Sequence, residues 1–264
     1  MATLTDAQVD ETARALFDAE RTWTLIDPVS ATYPDADIED AYRISQAVTD
    51  LKLASGRRVK GHKIGLTSKA MRSLSGATEP DYGTLFDDWF IYEGGVVPRA
   101  KMNRPLVEVE LAFVLKHGIE GPGITVADVI RATDFVLPSI EVVDVRQRGR
   151  GPKPLIDSIS DAAACAFVVL GANPRRLTDL DVRRLGAHLA INGDIEESGM
   201  ASAVMGNPIN SVCWLLNKLH EYGVSAEPGH VILSGSFIKA IPFQVGDDVT
   251  AIFNDLGEVT FRAE

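Results

Sequence analysis

Apolar residues recur at two different periods along the chain, and the change of period divides it. Val9, Ala13, Leu16 and Phe17 share one face of a helix that Thr5-Asp6 can cap. A loop carrying Pro28 and Pro34 follows. Asp37-Ile38-Glu39-Asp40 then opens a second helix through Ala41, Ile44, Val48 and Leu51, stopped by Ser55-Gly56. From Val59 onward the pattern becomes short β-like runs between Gly, Pro and Asp breaks. It predicts strands at Val59–Ile64, Leu106–Leu115, Phe135–Val143, Phe167–Leu170, Gly186–Ile191, His230–Leu233, Val249–Phe253 and Val259–Phe261. Asn192-Gly193 is a hairpin turn signal, because both residues tolerate positive φ. Asn207-Pro208 predicts a helix through Val212, Leu215, Leu216 and Leu219 that ends near Gly223. Helices interrupt the strands irregularly, so the expected class is α+β with a mixed sheet rather than repeated βαβ units. Residues 1–57 are expected to form an N-terminal helical region and 58–264 the catalytic domain.

Charge narrows the function classes. Against 26 Lys and Arg stand 37 Asp and Glu, a net −11, which argues against a nucleic-acid or anionic-membrane binder. No apolar run approaches the length of a membrane span, and the acidic start MATLTDAQVDETARAL lacks a signal-peptide pattern. Cys165 and Cys213, 48 positions apart in apolar runs, read as buried thiols rather than a disulfide framework or a zinc site. A cytoplasmic protein is expected.

Candidate chemistry concentrates in two strands. In RPLVEVELAFVL (104–115), Glu108 and Glu110 fall on one face about 7 Å apart, and Val107, Val109 and Leu111 on the other. In FVLPSIEVVD (135–144), Glu141 sits among apolar neighbours. Three carboxylates without clustered His or Cys suit a hard cation, Mg²⁺ or Mn²⁺. The competing reading is a wet edge strand with both glutamates toward solvent. In KGHKIG (60–65), strict alternation puts Lys60 and His62 on one face and Lys63 on the other. An inward lysine here serves anion binding or proton transfer; the competing reading is a basic surface loop. Arg146, Arg148, Arg150 and Lys153 form a basic island, either a second anion site or a solvated loop. G-x-S-x-G, H-x-x-x-H and phosphate-loop patterns are absent.

GHKIGLTSKAM, EPDYG, EVELAFVL, ATDFVLPSIEVVD, GNPINSVCWLLNKL and HVILSGSF together resemble the hydratase/decarboxylase branch of the fumarylacetoacetate hydrolase superfamily, over nearly the whole chain. The resemblance implies a mixed β-roll core behind an N-terminal helical region. It implies Mg²⁺ or Mn²⁺ on Glu108, Glu110 and Glu141, with Lys63 at the substrate's carboxylate end and in proton transfer. Lys60, His62, Arg146 and Ser236 are assigned to substrate binding. Asp81 of the P-D-Y-G stretch stands where the decarboxylases carry an apolar residue, which favours water addition to a conjugated 2-oxo acid, with Asp81 as base. Two runs depart from the family: Ser160-Asp161-Ala162-Ala163 where S-D-N-A is frequent, and Ile238 after Gly235-Ser236-Phe237 where Thr is frequent.

The resemblance further implies a small-molecule 2-oxo acid substrate, a homo-oligomer and association with other enzymes of an aromatic meta-cleavage pathway. A 2-oxo-acid decarboxylase, a C–C hydrolase, a hydratase of 2-hydroxypenta-2,4-dienoate and a non-catalytic partner subunit are the competing functions.

Overall fold

The computed structural model describes residues 3–149, 151 and 153–264. Helix α1 (Asp6–Thr22) starts from a reciprocal cap in which Thr5 and Gln8 each accept from the other's amide. A single turn, α2 (Val29–Thr32), leads to α3 (Ile38–Ala54), capped in the same way by Asp37 and Asp40. Val9, Ala13 and Leu16 of α1 pack on Ile44 and Val48 of α3 in a small core of their own. Removing these faces from water, rather than helix propensity, makes the pair stable.

The remainder alternates strands and short helices: β1 (Val59–Gly65), α4 (Lys69–Ser75), β2 (Asp81–Phe86), β3 (Phe90–Tyr92), β4 (Val96–Val97), β5 (Leu106–Leu115), α5 (Val126–Ala132), β6 (Thr133–Val143), α6 (Leu155–Ser160), β7 (Cys165–Leu170), β8 (Gly186–Ile191), β9 (Asp194–Met200), α7 (Pro208–Glu221), β10 (Val231–Leu233), β11 (Ile241–Pro242), β12 (Asp248–Phe253) and β13 (Gly257–Ala263). Among the described residues, the larger sheet runs β2-β1-β10-β5-β6-β7-β3, with β11 on β5, and the smaller one β4-β13-β12-β8-β9. β1/β10, β3/β7 and β4/β13 are parallel and the other pairs antiparallel, so both sheets are mixed. Val107, Val109 and Leu111 of β5 share the main core with Ile140 and Val142 of β6 and with Val212, Leu215 and Leu219 of α7.

Every predicted strand is present, with ends differing by up to two residues. The β8–β9 hairpin turns at Asn192 (φ 54°) and Gly193 (φ 89°), and α7 starts at the Asn207-Pro208 cap. β2 was not expected, because its D-Y-G-T-L-F lacks a clean period and adjoins a polar stretch; pairing with β1 supplies what its pattern does not. Helices α4, α5 and α6 were not expected either; at seven residues or fewer they show too little periodicity to read. Cys165 is buried and Cys213 half-buried, both as free thiols. Among the described residues, no helix is long and apolar enough to cross a membrane.

Candidate metal centre and active site

The alternation of β5 survives folding. Val107, Val109 and Leu111 are fully buried in the core, and Glu108 and Glu110 take the opposite face. Antiparallel pairing sets Glu141 of β6 directly across from Glu108, and Ser139 across from Glu110. One carboxylate oxygen from each of Glu108, Glu110 and Glu141 lies within 4.8 Å of the others. Two ligand oxygens on one hard cation are at most about 4–5 Å apart, so this spacing fits a shared ion.

Burial makes the site more than an acidic cluster. Glu110 and Glu141 are fully buried, and Glu108 is half-buried. Glu110 Oε2 accepts from the Gly235 amide at 2.7 Å. Glu110 Oε1 is buried with no hydrogen-bond partner, whereas Glu141 Oε1 meets the Lys63 ammonium. An unpaired buried carboxylate costs several kcal/mol, which ligation by a cation removes. Burial first, then the charge of Glu141, raises Glu108 to about 7 and pushes Glu110 well above the carboxylate range. The oxygen-only donor set fits Mg²⁺ or Mn²⁺. The wet-edge reading does not hold: β5 is an interior strand between β10 and β6.

Lys63 reaches the carboxylates from β1. Its Nζ lies 3.1 Å from Glu141 Oε1 and donates to the Ala163 carbonyl at 3.1 Å. Burial pulls its pKa down, but Glu141, Glu108, Asp81 and Glu110 outweigh it, so Lys63 is held charged. Asp81 comes from the start of β2, opposite Gly65 of β1. A Cβ on Gly65 would sit 2.2 Å from Asp81 Oδ1 and 3.5 Å from Lys63 Nζ, so the absence of a side chain there lets the two approach. Asp81 Oδ2 accepts from Ser158 of α6 at 2.5 Å, while Oδ1 is buried and unpartnered. Burial raises the Asp81 pKa, against the opposing pull of Lys63 and Ser158.

Lys60, His62 and Arg146 do not join this group, and Ser236 follows Gly235, whose amide binds Glu110. Lys60 and His62 do not share a face. The β1–β2 register shifts between Val59 and Gly61, where Gly61 (φ 147°) approaches β10 so closely that a Cβ would lie 1.8 Å from the Val231 carbonyl oxygen. After this bulge Lys60 is exposed and His62 buried. His62 packs edge-on to Tyr82 and His230, at 6.3 and 6.0 Å between ring centres, on the face opposite Lys63. Burial, reinforced by His230, lowers its pKa to about 3, so it is neutral. Ser236 Oγ donates to the nearby Ile238 carbonyl at 2.9 Å and so braces its own turn.

The basic island does not converge either. Arg146 is buried and turned inward, its guanidinium spent on Asp161, Asp144 and Cys165 oxygens at 2.5–2.9 Å. Arg148 pairs with Asp27, Lys153 donates to the Gln147 and Arg148 carbonyls, and Arg150 lies outside the described residues. Arg146 also borders a cleft of about 510 Å³, lined by Trp23, Arg57, Trp89 and Phe167 and by none of the site carboxylates.

Several site contacts had no sequence signal. The Ala163 carbonyl and the Gly235 amide are backbone groups, which leave no mark in a sequence, and Ser158 lies 77 positions from the Asp81 it binds. Ala162, Ala163 and Ala164 all adopt left-handed backbone (φ 49°, 50° and 61°). Alanine there costs about 1–2 kcal/mol per residue, so the rest of the fold must hold the turn.

No family model matches the chain. It is 43% identical over 255 residues to 2-oxo-hept-4-ene-1,7-dioate hydratase of Escherichia coli, covering 95% of this chain and 96% of that one. It is 36% identical over 260 residues to 4-oxalocrotonate decarboxylase of Pseudomonas sp. (strain CF600), covering 98% of each. Among solved structures it resembles 4-oxalocrotonate decarboxylase from Pseudomonas putida G7, complexed with magnesium and adipate, with a TM-score of 0.96, 34% identity and full coverage of both chains.

Proposed function

Because the chain belongs to the hydratase/decarboxylase branch of the fumarylacetoacetate hydrolase superfamily, we propose that it is a metal-dependent hydratase that adds water to a conjugated 2-oxo acid. The preferred substrate is 2-oxo-hept-4-ene-1,7-dioate, giving 4-hydroxy-2-oxoheptane-1,7-dioate. The observation that carries this reading is the convergence of three carboxylates, one lysine and one further carboxylate in a single buried site. Glu108, Glu110 and Glu141 hold the Mg²⁺ or Mn²⁺. When bound, the cation supplies a Lewis acid for the carboxylate and 2-oxo group of the substrate.

The remaining roles belong to the chain's own groups. Lys63 anchors the substrate carboxylate and carries a proton at Nζ during isomerisation of the double bond; the Ala163 carbonyl aims it. Asp81 takes the proton of the attacking water at Oδ1, the oxygen that Ser158 leaves free. Its raised pKa brings it nearer the working pH than a surface aspartate. The relatives include both hydratases and decarboxylases, so the overall likeness does not choose between the reactions, whereas a buried carboxylate next to Lys63 favours water attack.

The test is to incubate the purified chain alone with Mg²⁺ and 2-oxo-hept-4-ene-1,7-dioate and follow the products by NMR. A 4-hydroxy-2-oxo diacid supports the reading. Release of CO₂ without hydrated product makes it a decarboxylase. No turnover until a partner enzyme is added makes it an accessory subunit. The same reading expects a cytoplasmic homo-oligomer working beside other enzymes of a homoprotocatechuate-type pathway.

A further inference from the structure

Arg146 grips both ends of the left-handed turn at 162–164. At the leading end its Nη2 donates to the Asp161 carbonyl at 2.6 Å, its Nε to Asp161 Oδ1 at 2.5 Å, and its backbone amide to Asp161 Oδ2 at 2.9 Å. At the trailing end Nη1 donates to the Cys165 carbonyl at 2.7 Å. Nη1 also reaches the Asp144 carbonyl at 2.9 Å, and the Asp144 amide donates to Ala164 at 2.8 Å, tying the turn to the end of β6. Between these two grips the Ala163 carbonyl accepts from Lys63 Nζ at 3.1 Å. The neighbouring Ala162 carbonyl packs so tightly on β2 that a Cβ on Gly83 would lie 2.1 Å from it. Three successive alanines do not adopt this conformation unaided, and Arg146 supplies the restraint at both of their flanks.

We propose that Arg146 is a positioning residue for the reaction: it holds the strained turn so that the Ala163 carbonyl keeps Lys63 aimed at the carboxylate site. Arg146 thus acts through the turn and touches no substrate. The inference rests on the reading that Lys63 serves the reaction, and it adds a device that controls that lysine through the turn at 162–164. A planar guanidinium suits the role, because its fixed fork reaches three carbonyls and one carboxylate at once. An ammonium presents one nitrogen and cannot.

The experiment combines Arg146→Lys with Ala163→Gly. Arg146→Lys keeps a cation beside Asp161 but loses the fork. Its kcat should fall on the order of 100-fold, the effect of displacing a reacting group by about 1 Å, with KM rising because Lys63 also anchors the substrate carboxylate, and Mg²⁺ affinity by calorimetry unchanged. A crystal structure of the variant should show the Ala163 carbonyl beyond hydrogen-bond distance of Lys63. Adding Ala163→Gly removes the backbone penalty and should restore about tenfold of the lost kcat. A kcat within about twofold of wild type overturns the proposal. So does a variant that has lost turnover while the turn and the Lys63 contact are intact, since Arg146 then acts elsewhere. If Arg146→Lys does not fold, the neutral pair Arg146→Gln/Asp161→Asn carries the same readouts. If the wild-type chain hydrates nothing, the reading of Lys63 fails, yet the turn geometry in the variant crystal still decides whether Arg146 is the clamp.

Discussion

Lys63 Nζ and Glu141 Oε1 lie 3.1 Å apart although β10 and β5 stand between their strands. Three strand spacings amount to about 14 Å in a flat sheet. The contact therefore requires a sheet curled so that β1 and β6 face each other across the site. Curling turns residues from opposite parts of the chain into one chemical group, and the predictions below depend on it.

Glu110→Gln should weaken Mg²⁺ binding and turnover together, since a carboxamide is a poorer ligand for a hard cation. The raised pKa of Glu108, about 7, adds a pH signature. Its proton must leave for the carboxylate to ligate, so apparent Mg²⁺ affinity should fall as pH drops through about 7, with proton release growing. Calorimetry in buffers of different ionisation enthalpy reads both; affinity independent of pH from 8 to 6 would show that Glu108 is already ionised across this range, against the raised pKa.

Lys63→Ala should lower kcat by on the order of 10²–10⁴-fold, the range for a positioned proton carrier. Metal affinity should be equal or tighter, because the variant removes a cation 3.1 Å from the ligand Glu141. Near-normal turnover, or a parallel loss of metal, would show that Lys63 does not act on the substrate.

Asp81→Asn should suppress hydration and largely spare metal-dependent exchange of the proton next to the 2-oxo group, which needs no water attack. Deuterium uptake and 4-hydroxy product, followed in parallel by NMR, separate the two. Equal loss of both would make Asp81 a structural or substrate-holding group. Ser158→Ala, which frees Asp81 Oδ2, should shift the pH at which hydration rises more than it shifts KM.

His62 predicts an acid limit on folding. Burial and His230 hold its pKa at about 3, against about 6.5 in an unfolded chain. Between these values the unfolded state binds a proton that the folded state does not. Stability from this residue is full above about pH 6.5 and is lost as pH falls toward 3, by about 1.4 kcal/mol per unit. His62→Phe keeps the ring contact with Tyr82 and should remove this part of the slope. Urea midpoints at pH 7.5 and 5 check it; an unchanged slope would place the protonation elsewhere.

The family relationship leads to the expectation of a symmetric homo-oligomer. Light scattering at working concentration should give a mass that is a multiple of 28.5 kDa; a monomer would contradict it.

What the chain's residues determine by themselves is local and periodic. The alternation of β5 alone puts Glu108 and Glu110 together and away from Val107, Val109 and Leu111, because successive side chains on a strand take opposite faces. Caps at Thr5, Asp37 and Asn207 start helices through bonds spanning two or three residues. The turn at Asn192-Gly193 depends on which residues tolerate positive φ. Only the tertiary structure decides what pairing and curl bring together. It sets Glu141 across from Glu108, and a bulge at Gly61 breaks the alternation that would have joined Lys60 to His62. It also turns Arg146 from an apparent surface charge into the buried grip on residues 162–164, because a guanidinium goes wherever carbonyls and carboxylates converge to satisfy its donors. Those acceptors are assembled from segments up to 19 positions away, a distance over which periodicity carries no information.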